Sequence, residues 1–174
     1  MFIGVNEPSA VCGYDTEMRL SHILGVDIDT GAKVCHGRFL FDIKENDIIC
    51  NGSDIQKKYN VFICDAATEV LMSEGETPLI TSHKFFEGTG IYLSGFRHNV
   101  ANDRTLLNII LSSKENDGKY ITDNCMTECS YYPDDKKLVI INNSDEMQKT
   151  TIKTDSKEIT EVVEAFDIKI INLQ

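Results

Sequence analysis

The stretch from Tyr59 to Ser113 constrains the fold most, because it sets an apolar run, two glycine turns and a helical repeat side by side. Val61-Phe62-Ile63-Cys64 is short, partly β-branched and closed by Asp65, which reads as a buried strand. Glu69–Met72, Leu79–Phe86 and Ile91–Leu93 follow as β-rich runs, parted by Glu74-Gly75-Glu76 and Glu87-Gly88-Thr89-Gly90. Glycine turns between such runs predict a meander of hairpins. Leu106, Leu107, Ile110 and Leu111 then recur at helical spacing, with Asn102 or Asp103 placed to cap. This helix is expected to fold back over a face of the sheet.

Earlier in the chain, Met1–Val5 reads as a strand with nothing before it. An open parallel sheet needs crossovers around its inner strands, so a start in mid-sheet predicts the back part of something longer. The loop through Asn6, Glu7, Pro8 and Ser9 leaves the carboxyl end of that strand, where α/β sheets usually bind ligands. A helix is expected over Glu17–Leu24, capped by Thr16, with Met18, Leu20, Ile23 and Leu24 inward and Gly25 past its end. Val26–Gly31 reads as a polar turn, Lys33–Asp42 as rich in strand formers, and Asn51-Gly52 as a turn.

Periodicity stops at Ser112–Gly118, which predicts two domains, 1–115 and 116–174. Beyond that boundary the pattern is all β: Thr127–Tyr132, Lys137–Ile141, Gln148–Thr154, Glu158–Val163 and Phe166–Leu173. The last run alternates Phe166, Ile168 and Ile170 against Asp167 and Lys169. Short strands this closely spaced predict a small antiparallel sandwich. A unit so small buries little apolar surface, so it is expected to pack on the first domain.

The net charge of −11 repels phosphate backbones and anionic lipid, which argues against nucleic-acid or membrane partners. The apolar runs have strand length rather than span length, and no signal peptide is apparent. The six cysteines include one close pair, Cys125 and Cys129, without the second pair that a zinc site needs. All six are expected to be reduced, which points to the cytoplasm. No metal or cofactor is expected.

A search for reactive groups finds no catalytic constellation. Val11-Cys12-Gly13 lacks the first glycine of a nucleophile elbow, and no P-loop, Gly-x-Ser-x-Gly or dinucleotide fingerprint occurs. His22, His83 and His98 are scattered. His36 is the most notable histidine, because Gly37 beside it permits close backbone approach. Glu7 before Pro8 either orients a polar ligand or caps the next helix. Carboxylates abound without forming an acid/base pair. The candidate site is therefore Asn6 and Glu7 together with His36 and Arg38. The two segments are expected to meet near the strand ends, Glu7 and Arg38 carrying opposite charge and Gly4 and Gly37 giving access. The bland alternative is an exposed Glu7–Arg38 ion pair.

Several stretches together resemble glycoside hydrolase family 112. Phe2–Ser9 (FIGVNEPS), Arg19–Asp27 (RLSHILGVD), Val34–Arg38 (VCHGR), Ile91–Phe96 (IYLSGF) and Arg104–Leu107 look like its second domain. Thr122–Pro133 and Lys137–Ser144 look like its C-terminal β domain. Members are β-galactoside phosphorylases, cleaving galactosyl-β-1,3-N-acetylhexosamines or galactosyl-β-1,4-rhamnose with inorganic phosphate to give α-galactose 1-phosphate. The resemblance implies a TIM-barrel domain carrying the carboxylic general acid, a class I amidotransferase-like (flavodoxin-like) α/β domain without its nucleophile, and a β domain. This chain is then expected to hold an incomplete amidotransferase-like domain and the β-sandwich, with the barrel missing upstream and no catalytic residue of its own. Its partners would be phosphate and a galactosyl disaccharide in the full-length parent, and it is expected to be a homo-oligomer. The alternative is a free-standing, non-catalytic sugar-binding or protein-interaction module with an amidotransferase-like core.

Overall fold

A computed structural model of the chain describes residues 1–5, 18–29, 38–44, 48–112 and 118–173. The expected loop at 6–9, the Thr16 cap, Cys12 and the stretch 33–37 lie outside them. The chain divides into two compact units, Met1–Glu45 with Ile55–Arg97, and Asn46–Asp54 with His98–Gln174. The described residues are mostly β-strand with few helices. None of those helices is long and apolar enough to cross a membrane.

The first unit opens with strand β1 (Phe2–Val5), a short helix α1 (Ser21–Leu24) and strand β2 (Val26–Ile28). Strands β3 (Val61–Ile63), β4 (Thr68–Glu74), β5 (Thr77–Phe85) and β6 (Gly88–Leu93) follow. A four-stranded sheet has the order β1-β6-β5-β4, with β1 parallel to β6 and the other pairs antiparallel. The meander is as expected, but its second turn is not glycine-rich. Phe86, at φ 50, turns the chain, and Gly88–Gly90 already belong to β6. Gly90 is needed there because the Ile23 carbonyl oxygen of α1 presses on it, 2.0 Å from where a Cβ would stand.

Two expectations near α1 need correction. Val26–Ile28 is a strand, not a polar turn: it pairs antiparallel with β3, Val26 opposite Ile63 and Ile28 opposite Val61. Its polar residue, Asp27, is buried rather than solvated, its Oδ1 accepting from the Met18 and Ile28 N–H groups at 2.6 and 2.8 Å. A carboxylate satisfied by backbone donors can sit inside a strand that its sequence makes look like a turn. Of the residues expected inward on the helix, Met18 and Leu24 are buried while Leu20 and Ile23 are only half-buried. Gly25 ends the helix in the left-handed conformation, as expected. The core joins Met18, Leu24, Val26, Val61, Ile63, Val70 and Tyr92. The described part of the strand-forming stretch, 38–42, makes one isolated bridge, Phe39 to Ile63, and Ile43 just beyond it bridges Val70.

In the second unit, helix α2 (Val100–Leu111) is capped by Asn99, whose side chain accepts from the Asn102 N–H at 2.8 Å. The cap lies three residues before the expected Asn102. The buried face is Ala101, Asn102, Thr105, Asn108 and Ile109, whereas Leu107 and Leu111 are exposed. The polar members of that face hold the segment 48–54. Asn102 Oδ1 accepts from Ser53 Oγ and the Asp54 N–H, Thr105 Oγ1 accepts from the Cys50 N–H, and Asn108 Nδ2 donates to the Ile48 carbonyl. Buried amides and hydroxyls with partners do what an apolar stripe does elsewhere.

Five strands complete this unit: β7 (Thr127–Tyr132), β8 (Lys137–Asn142), β9 (Gln148–Lys153), β10 (Glu158–Val163) and β11 (Ile168–Asn172). They form an antiparallel three-stranded sheet, β11-β8-β7, and an antiparallel pair, β10-β9. Leu138 and Ile140 of β8 meet Ile152, Ile159 and Val163 of the other sheet in one core. In β11 the alternation is present, but Phe166, Ile168 and Ile170 are exposed.

Candidate functional site

The carboxyl end of β6 builds a concave feature with a concentrated positive charge. Register places Val5 of β1 beside Leu93 of β6 in parallel, so both strands deliver their carboxyl ends to the same edge. Open sheets present their ligand crevices at that edge. After Leu93, the buried Ser94 accepts at Oγ from the Lys58 N–H at 3.1 Å. Gly95 follows at φ 51, and a Cβ there would stand 2.0 Å from the Gln56 carbonyl oxygen. Buried Ile55 and Phe96 anchor the two segments on either side of this contact. The result is a cleft of about 230 Å³ lined by Gln56, Lys57, Lys58, Gly95, Phe96 and Arg97. Lys58 Nζ also lies 5.2 Å from the centroid of the Tyr59 ring.

Half of that lining is cationic, in a chain with 17 Lys and Arg among 174 residues. The lining carries three cationic side chains and no carboxylate, a composition suited to anion recognition. Sequence reasoning missed this site. Lys57-Lys58 and Arg97 lie far apart in the chain, and only the closing of the sheet brings them together. The one available signal was a Gly-Phe-Arg tripeptide directly after a strand.

Of the residues singled out by sequence, Asn6, Glu7 and His36 lie outside the described residues. Arg38 is placed: its Nη2 pairs with Asp29 Oδ2 at 2.6 Å, and its guanidinium carbon lies 4.6 Å from the Phe62 ring centroid. Both ends of that pair are partly exposed, which limits it to about 1 kcal/mol or less.

The other reactive groups have structural partners. His83 is buried with Nδ1 3.2 Å from Thr68 Oγ1, and Thr68 donates to the Gly25 carbonyl at 3.2 Å. His98 Nδ1 lies 2.8 Å from Asp103 Oδ1 on the surface. Burial pushes the Cys50 thiol up to about 11 and the Cys129 thiol up to about 12, so neither is a thiolate near neutral pH. Among the described residues no cluster of three or more His, Cys, Asp or Glu could hold a metal ion.

A family profile described as the lacto-N-biose phosphorylase central domain matches residues 1–118, and one described as the C-terminal domain matches residues 120–171. The chain is 43% identical, over 99% of its length, to a D-galactosyl-β-1→4-L-rhamnose phosphorylase of Lachnoclostridium phytofermentans, and covers 24% of that protein. It is 28% identical, over 87% of its length, to a 1,3-β-galactosyl-N-acetylhexosamine phosphorylase of the same organism, covering 22% of it. A solved β-galactosidase from Rahnella sp. R3 superposes with a TM-score of 0.40 and 12% identity, over 97% of this chain and 28% of that one. That likeness is too loose to argue from. The chain spans about a quarter of the length of the two phosphorylases. With both profiles matched in order, it belongs to the lacto-N-biose phosphorylase family, glycoside hydrolase family 112, as its sequence motifs led us to expect.

Proposed function

We propose that this chain is the non-catalytic C-terminal portion of a β-galactoside phosphorylase that cleaves galactosyl-β-1,4-rhamnose, or a related galactosyl-β-1,3-N-acetylhexosamine, with phosphate. The observation that carries the reading is the 43% identity to the galactosyl-rhamnose phosphorylase, sustained over 99% of the chain yet only 24% of the relative. In this reading the full-length parent attacks the anomeric carbon with phosphate while a carboxylic acid protonates the leaving oxygen, giving α-galactose 1-phosphate with inversion. That acid and the barrel bearing it lie outside this chain. Residues 1–115 serve as an incomplete amidotransferase-like α/β domain and residues 116–174 as a β-sandwich, in a cytoplasmic homo-oligomer. Asn6, Glu7, His36 and Arg38 belong to the face turned toward the sugar site. The cleft after β6, lined by cations and free of carboxylates, is consistent with a part that binds rather than reacts.

Two preparations test this. The purified chain, given galactosyl-rhamnose and phosphate, should release no galactose 1-phosphate. A chimera joining it to the amino-terminal three quarters of the L. phytofermentans enzyme should release it, and should lose rate when Glu7→Gln and Arg38→Ala are introduced together. Turnover by the chain alone, or a folded chimera that is inert, overturns the reading.

A further inference from the structure

We infer that the cleft after β6 is a binding site for a small tetrahedral oxyanion, free phosphate or a phosphate monoester, held by Lys57, Lys58 and Arg97. The inference concerns this chain alone and stands whether or not the chain serves a phosphorylase.

Like charges gathered on one rim repel each other, so a fold that fixes them together makes the rim more stable with an anion between them. Here the fixing is done by the backbone. The Gln56 carbonyl rests against Gly95 so closely that only glycine fits, and the Lys58 N–H is tied to the buried Ser94 hydroxyl. Ile55 and Phe96, which flank the contact in the two segments, are both buried. Among the described residues no carboxylate pairs with Lys57 or Lys58, so their charge is available to a ligand.

Shape and charge narrow the ligand. At about 230 Å³ the cleft has room for a hydrated phosphate or a small phosphorylated molecule. A tetrahedral anion offers oxygens in several directions at once, which suits cations supplied from two segments better than the planar fork of a carboxylate. A net charge of −11 over the chain disfavours an extended polyanion, whose flanking phosphates would meet acidic surface. Phe96 supplies an apolar wall for a carbon skeleton beside the anion. No carboxylate lines the cleft to compete with an anion for these cations.

The test is titration calorimetry of the isolated chain at low ionic strength, with inorganic phosphate in one arm and galactose 1-phosphate in the other. Saturable one-site binding is expected in at least one arm, weakened tenfold or more by Lys57→Ala with Lys58→Ala and by Arg97→Gln. Lys137→Ala with Lys149→Ala, on exposed strand positions of the second unit, should leave it unchanged. Tighter binding of the monoester assigns the cleft to a phosphorylated sugar; equal affinities assign it to free phosphate. Circular dichroism separates loss of binding from loss of fold, and a chemical-shift titration of the Gly95 amide reports occupancy in any variant that stays folded. The proposal is overturned if neither anion saturates, or if the control pair weakens binding as much as the cleft variants do.

Discussion

Gly95 bears a double local demand, combining a left-handed φ of 51 with a carbonyl oxygen where a side chain would begin. Gly75 has a similar φ of 59 but open space around it. Gly75→Ala should therefore cost only the backbone term, about 1 kcal/mol, and Gly95→Ala at least about twice that, because backbone must also move. Urea midpoints of the two variants check the difference, and equal losses would remove the clamp. Cys50 makes a second prediction at this scale. Its folded thiol sits at about 11 against an ordinary 9.0, because burial disfavours the thiolate more than the Thr105 and Asn108 contacts favour it. The folded state thus keeps a proton that the unfolded state loses. The associated stability is whole below pH 9 and declines as pH rises to about 11. Cys50→Ser, which does not titrate, should give a shallower loss of stability over that window. Residue-level roles were the least legible in sequence. Arg38 pairs with Asp29 and lies over the Phe62 ring, and nothing in the spacing of 29, 38 and 62 announces that meeting.

Elements were far more legible, because hairpins and turns are written in local residue choice. β7 and β10 have the bounds that their composition predicts, and β4, β5, β8 and β9 differ by a few residues at most. Failures came where polar atoms are satisfied by distant partners. β2 looked like a turn because Asp27 is polar, and the face of α2 was read from its leucines although Asn102, Thr105 and Asn108 are buried beside Ala101 and Ile109. Hydrophobic periodicity cannot register a buried amide bonded to a loop more than forty residues away. The same limit gives β11 its prediction. Ile168 and Ile170 sit on the exposed face of the three-stranded sheet, opposite Ile141 and Val139 of β8, while Ile140 faces the core. Replacing Ile168 and Ile170 together by threonine should change the isolated chain's stability by no more than about 1 kcal/mol, whereas Ile140→Ala should cost about 2–5 kcal/mol. Thermal or urea unfolding decides. A large loss from the threonine pair would mean that this face is covered in solution.

For the whole molecule, family membership was legible from motifs, while the cationic cleft was not, because it exists only once two segments meet. The final prediction turns on β1. It lies at the edge of its sheet, bonded to β6 on one side, with no described strand on the other. An edge strand presents a row of unpaired N–H and C=O groups to any second chain that can offer the same. Charge opposes that meeting: two copies at −11 repel, and salt screens the repulsion over a Debye length of about 8–10 Å near physiological strength. Edge pairing therefore predicts a particular sign. Self-association of the isolated chain should rise with protein concentration and also with added salt, opposite to an assembly held by ion pairs. Ile3→Lys, which places a charge on the edge strand, should shift the population toward monomer, as charged edge residues do in natural sheets. Sedimentation velocity across a hundredfold range of concentration, at low and high salt, measures all three trends. A single monomer peak throughout would show that the β1 edge is already protected within one chain.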